Sequence, residues 1–77
     1  MEKTMENMIL ILSKATHKEN VHSIDVNADM WSQGIGSLDR MSFFFSLEKA
    51  FNIKISNDEQ NQLHNLNDVL NFVKSKS

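Results

Sequence analysis

Ser37 is the side chain of this sequence best placed for chemistry. It directly follows Gly34-Ile35-Gly36, which holds both glycines of the chain, and directly precedes Leu38-Asp39 at the start of a helical pattern. A serine in that place is a favoured helix N-cap, worth roughly 1 kcal/mol. It is also an accessible hydroxyl on a short, turning stretch of backbone. The other candidates are weaker. His17, His22 and His64 are the histidines of the chain, and the first two are five residues apart, a poor spacing for one helix face. No carboxylate cluster joins them, so no metal site is expected. Asp25, Asn27 and Asp29 alternate like the opening of a calcium loop. Counted from Asp25, however, Met30 stands where that loop needs glycine and Gly36 where it needs glutamate. No phosphate-cradling glycine loop is present, and no Ser-His-Asp set follows from the order of the residues. Without cysteine there is no thiol nucleophile, thiolate ligand or disulfide. Nothing here supports intrinsic catalysis, and the chain is expected not to be an enzyme.

The 77 residues allow one small domain, spanning 1–77. Hydrophobic residues are 40% of the chain and charged residues 23%, a globular balance and not a disordered one. There is no proline, and with so few breakers helices are the first expectation. A formal charge of −2 argues against nucleic acid as a partner, which calls for a basic surface. The longest apolar run, Met8-Ile9-Leu10-Ile11-Leu12, falls far short of the roughly 20 residues that span a bilayer. Glu2 and Glu6 precede it and no small-residue cleavage site follows, so it does not resemble a signal peptide. A cytoplasmic monomer without a membrane span is the expectation.

The elements that must position Ser37 follow from periodicity. From about Glu2 to Ala15, Met5, Met8, Ile9 and Leu12 recur at the i, i+3, i+4, i+7 spacing of one helix face. Lys3, Glu6, Asn7 and Lys14 supply the polar side, while Leu10 and Ile11 widen the apolar stripe. Such a helix packs on two neighbours. From Thr16 to Gly36 the period disappears, and Val21, Ile24, Val26 and Trp31 are the expected anchors of a long ordered loop. A short helical turn is expected near Asp29–Ser32. Ser37, as N-cap, then opens a helix to about Phe51, with Asp39 suiting the dipole of its first turn.

On that second helix Phe43, Phe44, Leu47, Ala50 and Phe51 form one face, while Leu38, Met41 and Phe45 follow i, i+3, i+7 spacing on another. Three consecutive aromatics cannot all point one way, so Phe43 and Phe44 are assigned to the core and Phe45 to a partly exposed position. Met5, Met8 and Met30 are core filler. Asn52 ends the helix, and Ile53 and Ile55 are extended anchors. Ser56, with Asp58 and Glu59 behind it, caps a brief helix through Leu63. Asn65 or Asn67 caps the last helix, in which Val69, Leu70, Phe72 and Val73 face inward and Lys74 and Lys76 suit the C-terminal end. The sum is an all-α fold: a small four-helix bundle of three main helices and one short one, with a long loop between helices 1 and 2.

Gly34-Ile35-Gly36-Ser37-Leu38-Asp39 resembles the attachment motif of the acyl and peptidyl carrier proteins, whose usual form is Gly-x-Asp-Ser-Leu. Upstream, Ile24-Asp25-Val26-Asn27-Ala28-Asp29-Met30-Trp31 is similar to the loop leading carriers into their second helix. Downstream, Ser46-Leu47-Glu48-Lys49-Ala50-Phe51 with Ile53 and Ile55 resembles the family's Leu-Glu-x-x-Phe helix end, and Asn67-Asp68-Val69-Leu70-Asn71-Phe72-Val73 its last helix. The resemblance therefore covers nearly the whole chain. It implies that Ser37, between Gly36 and Leu38, carries 4′-phosphopantetheine placed there from coenzyme A by a phosphopantetheinyl transferase. An acyl or aminoacyl group then rides as a thioester on the cofactor's thiol, so the chain needs no cysteine. The phosphodiester would lie near unpaired N–H groups at the positive end of a helix dipole. Gly34 and Gly36 would let the backbone turn tightly and a partner come close.

The implied partners are a loading ligase and a downstream synthase or transferase of fatty-acid, polyketide or nonribosomal peptide biosynthesis. They would dock on Leu38, Asp39, Met41, Phe45 and Glu48. Two departures from the family pattern stand out. Gly36 replaces the usual aspartate before the serine. In addition, fatty-acid carriers are strongly acidic along this helix, whereas here Arg40 and Lys49 offset Asp39 and Glu48. Weaker electrostatic steering and docking carried by the apolar stripe point to a specialised pathway. The phenylalanines leave limited room for a long acyl chain. The alternative is a helical interaction module without cofactor, using Leu38, Met41 and Phe45 against a partner helix.

Overall fold

The computed structural model describes residues 1–17 and 23–76. Val21 and His22, an expected anchor and one of the histidines, lie outside the described residues. The order of elements is α1 (Met5–Thr16), a 3₁₀ turn (Met30–Ser32), α2 (Ser37–Phe51), α3 (Asn57–Asn61) and α4 (Leu66–Ser75). No strand occurs among the described residues. The all-helical architecture, with three longer helices and one short one, is the one the periodicity predicts.

The first helix starts at Met5, where its apolar spacing begins, and not at the expected Glu2, because a cap intervenes. Thr4 is extended, and its Oγ1 accepts the Asn7 N–H at 3.2 Å, while the Asn7 side-chain amide donates to the Glu2 carbonyl at 2.7 Å. The helix runs one residue past Ala15. Thr16 is buried, which its hydroxyl tolerates by donating to the Leu12 carbonyl at 2.8 Å. His17 then stops the helix in the left-handed region at φ 56°.

α1 packs against both α2 and α4. Met8 and Leu12 from α1, Phe43, Phe44 and Leu47 from α2, and Leu66, Val69 and Val73 from α4 are almost wholly removed from water. Each such side chain contributes roughly 1.5–3 kcal/mol of burial. Phe43 and Phe44 are core and Phe45 is exposed, so consecutive aromatics do diverge. Two assignments shift. Leu10 lies on the exposed side of α1. Leu70 and Phe72 are only half-buried, because Leu66, Val69 and Val73 take the inner line of α4.

The described part of the long loop, residues 23–36, is held by hydrogen bonds to its own backbone, to the segment between α3 and α4 and to the first turn of α4. The Asp25 carboxylate accepts the Asn27 N–H at 2.9 Å, an Asx turn. The Gln33 side chain closes the loop on itself: Oε1 accepts the Asp25 N–H at 3.0 Å, and Nε2 donates to the carbonyls of Asp25 at 3.1 Å and Asp29 at 3.2 Å. Across the molecule, the Met30 N–H donates to the His64 carbonyl at 2.7 Å and the Asn67 N–H to the Val26 carbonyl at 3.2 Å. The alternating Asp25, Asn27 and Asp29 are therefore turn chemistry. Among the described residues no three of His, Asp and Glu gather as a metal site.

Beyond α2, Asn52 takes the left-handed region at φ 53°, and the Glu48 carboxylate accepts the Ile55 N–H at 2.9 Å. The short α3 buries none of its residues and ends at Asn61, short of Leu63. A capping box stabilises it: Ser56 Oγ accepts the Glu59 N–H at 3.2 Å, and the Glu59 carboxylate accepts the Ser56 N–H at 2.9 Å. The other Glu59 oxygen pairs with Lys76 at 2.9 Å. Asn65, not Asn67, caps α4, accepting the Asp68 N–H at 2.8 Å. No helix among the described residues is long and apolar enough to cross a membrane.

The Ser56 N–H and the Lys76 ammonium together hold the Glu59 carboxyl below the usual carboxylate range. A depressed folded-state pKa means that ionised Glu59 favours the fold. Its contribution is present above the ordinary glutamate value and is lost as pH falls through the folded value. The protection of the Ser56 and Glu59 amides, measured relative to their intrinsic exchange rates at each pH, should therefore fall on acidification in the wild type. In Glu59→Gln, which keeps the capping geometry without the charge, it should stay level across the same range. Equal acid sensitivity in both proteins would place the effect elsewhere.

Candidate functional site

The approach to Ser37 is a turn with one conformational requirement. Gly34 has φ +89°, where a β-carbon is strained, and Ile35 anchors the turn by burying its side chain. Gly36 is different: at φ −78° and ψ 174° it is ordinary extended backbone, so only one glycine of the pair is needed for its conformation. Gly36 is also the N-cap. Its carbonyl accepts the Arg40 N–H at 3.0 Å, and Ser37 is already the first helical residue. The expectation that Ser37 caps the helix is corrected, because a serine one position further on has turned into the helix.

This shift shapes the chemistry of the site. No side chain caps α2, and the N–H groups of Ser37 and Leu38 have no acceptor within the helix. Ser37 is exposed, and its hydroxyl makes no hydrogen bond to a described residue. Other serines are committed: Ser56 Oγ accepts the Glu59 N–H, while Ser32 and Ser75 donate to the carbonyls of Asp29 and Phe72. Ser13, Ser42 and Ser46 lie within helices, where backbone N–H groups are consumed. Ser37 thus combines an available hydroxyl with the positive end of a 15-residue helix, a setting suited to an anionic ester.

The expected docking residues divide into two groups. Leu38, Met41 and Phe45 are 78%, 67% and 58% exposed, an apolar line on the side of α2 away from the core. Shallow hollows flank it, one of about 340 Å³ lined by Met41, Ser42, Phe45 and Ser46. Asp39 lies half-buried in the first turn. Glu48 is half-buried too, and one of its oxygens is occupied by the Ile55 N–H, which gives it a structural task.

Arg40 is the residue that sequence reasoning undervalued. Its guanidinium lies over the Trp31 ring at 4.8 Å and the Phe44 ring at 5.9 Å, and it donates to the Gln60 carbonyl at 3.1 Å. The Trp31 indole N–H donates to the Leu63 carbonyl at 3.0 Å, and its ring packs on Phe44 at 5.6 Å. Arg40 and Trp31 so join the loop, α2 and α3 one turn below Ser37. Counted from sequence, Arg40 was only a charge offsetting Asp39. The signal the sequence offered was only the two side-chain types, an arginine in the first turns of a helix and a tryptophan in the loop that leads into it, which stack favourably when they meet.

The phosphopantetheine attachment site family matches residues 9–73, from within α1 to within α4. This chain belongs to that family. Among curated proteins no match to the sequence is found. The family carries 4′-phosphopantetheine covalently on a serine, and its members are generally carriers that do no catalysis of their own. They work with a phosphopantetheinyl transferase and with synthetic enzymes. The site fits such a group: an unpaired hydroxyl, an uncapped helix start and open space on the approach. A β-carbon built at Gly36 meets nothing within 4 Å, so the aspartate of the usual motif would fit there without displacement.

Gly36→Asp should therefore raise stability by a few tenths to about 1 kcal/mol, through an N-cap and a favourable charge at the dipole. Urea unfolding measures this, and a clear loss of stability would contradict the open geometry. Arg40→Lys should cost about 1–2 kcal/mol, since an ammonium cannot both stack and reach Gln60. The emission of Trp31, the sole tryptophan, should shift with it. Unchanged emission and stability would show that the stack contributes nothing.

Proposed function

We propose that this chain holds an acyl or aminoacyl group as a thioester on 4′-phosphopantetheine attached through Ser37 Oγ, and delivers it to partner enzymes. The observation that carries this reading is the exposed Ser37 hydroxyl at the uncapped start of α2, in a chain of the phosphopantetheine attachment site family. When bound, the group supplies a thiol, which this cysteine-free chain does not have. On attachment from coenzyme A, Ser37 Oγ would lose its proton and bond to the phosphate next to pantetheine, while the pyrophosphate bond breaks and adenosine 3′,5′-bisphosphate leaves. The amides of Ser37 and Leu38 then face the phosphate anion, and the positive φ of Gly34 keeps the approach short and turned.

The protein itself performs no bond-making on the cargo. It acts as a monomeric single domain over residues 1–77, in the cytoplasm, and presents Leu38, Met41 and Phe45 to its partners. Phe43 and Phe44 fill the space between the helices, which favours short cargo over long chains. The near balance of charge along α2 and its exposed apolar line support a specialised biosynthetic route over housekeeping fatty-acid synthesis. Asp39 and Glu48 are flanking docking residues, Glu48 through its remaining carboxylate oxygen.

Incubation with coenzyme A and a broad-specificity phosphopantetheinyl transferase, followed by intact-mass measurement, tests the reading. The wild type should gain one phosphopantetheine and Ser37→Ala none. An equal gain in Ser37→Ala would move the attachment to another residue. No gain in the wild type would leave the cofactor-free interaction module as the better account.

A further inference from the structure

The lysines of α2 and its surroundings are not scattered. Lys14, in the last turn of α1, and Lys49, in the last turn of α2, border one groove of about 370 Å³. Its floor comes from Ile11, Ala15 and Ala50, with Ser46 on the same wall. Lys49 also borders the neighbouring hollow of about 270 Å³, which it shares with Phe45, Ile53 and Lys54. All three lysines are exposed, and Phe45, under the Lys49 ammonium at 4.7 Å, links the hollow to the apolar line of α2.

The charge here is one-sided. Acidic residues outnumber basic ones in the chain, 10 to 8, yet among the described residues no carboxylate lines the groove between α1 and α2. Glu48 is the carboxylate at the second hollow, and one of its oxygens is taken by the Ile55 N–H. Lys14 and Lys49 also offset the negative ends of their own helices. That task does not require an apolar floor between them, and Lys54 lies outside any helix.

We propose that the C-terminal ends of α1 and α2 form a docking groove for an acidic amphipathic segment of a partner protein. An apolar side chain of that segment would lie on Ile11, Ala15 and Ala50, and its carboxylates would meet Lys14, Lys49 and Lys54. Such an arrangement places apolar contact at the centre and charge at the rim, where charge sets encounter rate and selectivity. An anionic membrane is a poorer occupant, since lipid-binding clusters commonly gather 4–8 basic residues and this chain is net acidic. The proposal adds a partner chemistry to the carrier reading and rests on it only for the identity of the partner as a biosynthetic enzyme.

Two short amphipathic peptides with the same leucine spacing test it, one with glutamates and one with lysines beside the leucines. Each is titrated into the ¹⁵N-labelled full chain at low and high salt. The glutamate peptide should shift the amides of Ile11, Ala15, Ser46, Lys49 and Ala50, and bind about tenfold more weakly in Lys14→Glu/Lys49→Glu. High salt should weaken it in the same direction. Both lysines are exposed, so the double variant should keep its fold, which its amide spectrum verifies directly. Equal or tighter binding of the lysine peptide, shifts confined to Leu38 and Met41, or no binding by either peptide would overturn the proposal. So would binding to phosphatidylglycerol vesicles in preference to the glutamate peptide, or concentration-dependent shifts of these amides from self-association. None of these measurements needs a loaded Ser37, so their failure is separable from a failure of the mass assay.

Discussion

The position of Ser37 depends on Trp31. Its indole N–H is bonded to the Leu63 carbonyl, its ring packs on Phe44, and the Arg40 guanidinium lies over both rings. This is the point where the loop, the second helix and the connection between α3 and α4 meet. A loop this long between two helices would otherwise carry a large ordering cost, since fixing each residue costs roughly 1–2 kcal/mol in backbone entropy. The cost is offset by burying Met30 and Ile35, by the Gln33 side chain, and by backbone bonds to His64 and Asn67. With the loop held on either side of the 3₁₀ turn, the chain enters α2 from a fixed direction.

The uncapped start of α2 is consistent with that arrangement. Thr4, Ser56 and Asn65 each spend a side-chain oxygen on the first turn of their helix. Gly36 has no side chain to spend, so α2 forgoes a few tenths of a kcal/mol relative to a serine or aspartate cap. The helix tolerates this because Phe43, Phe44 and Leu47 anchor it in the core. The donors left over are the ones a phosphate ester at Ser37 would use. In the usual family motif an aspartate occupies the cap, so here the amides face less competition from a neighbouring carboxylate.

Much of the fold was legible because it rests on local chemistry. The cap at Ser56, the helix end at Asn52 and the divergence of Phe43, Phe44 and Phe45 all follow from spacings of a few residues. The family resemblance was legible for a related reason, as its motifs fall on the segments that local chemistry had already marked. What escaped depends on distant partners or on backbone atoms that leave no trace in side-chain type. Arg40 bonds a carbonyl twenty residues away at Gln60, and any residue there would offer the same acceptor. Gln33 acts likewise on the carbonyls of its own loop. The Ser37 cap was misplaced by one position because glycine, the true cap, carries no oxygen to announce itself beside a serine that does. Leu66 was missed as a core residue because it follows the Asn65 cap directly, where the apolar period of α4 has only begun.

Counting charges along α2 gives a different result from locating them. By sequence the helix balances Asp39 and Glu48 against Arg40 and Lys49, and its surface looks neutral. In the fold, Arg40 is turned onto Trp31 and Gln60, and Glu48 is half-occupied by Ile55. The pairs that cancel on paper therefore do not cancel in space. Asp39 remains at the start of the helix beside Ser37, and Lys49 at its end beside Lys14 and Lys54. Between them the face is Leu38, Met41 and Phe45, without an ionisable side chain in that line. A helix charged at its two ends and apolar along its middle gives a partner a direction as well as a contact area, since charge complementarity can then fix orientation while the apolar line supplies affinity.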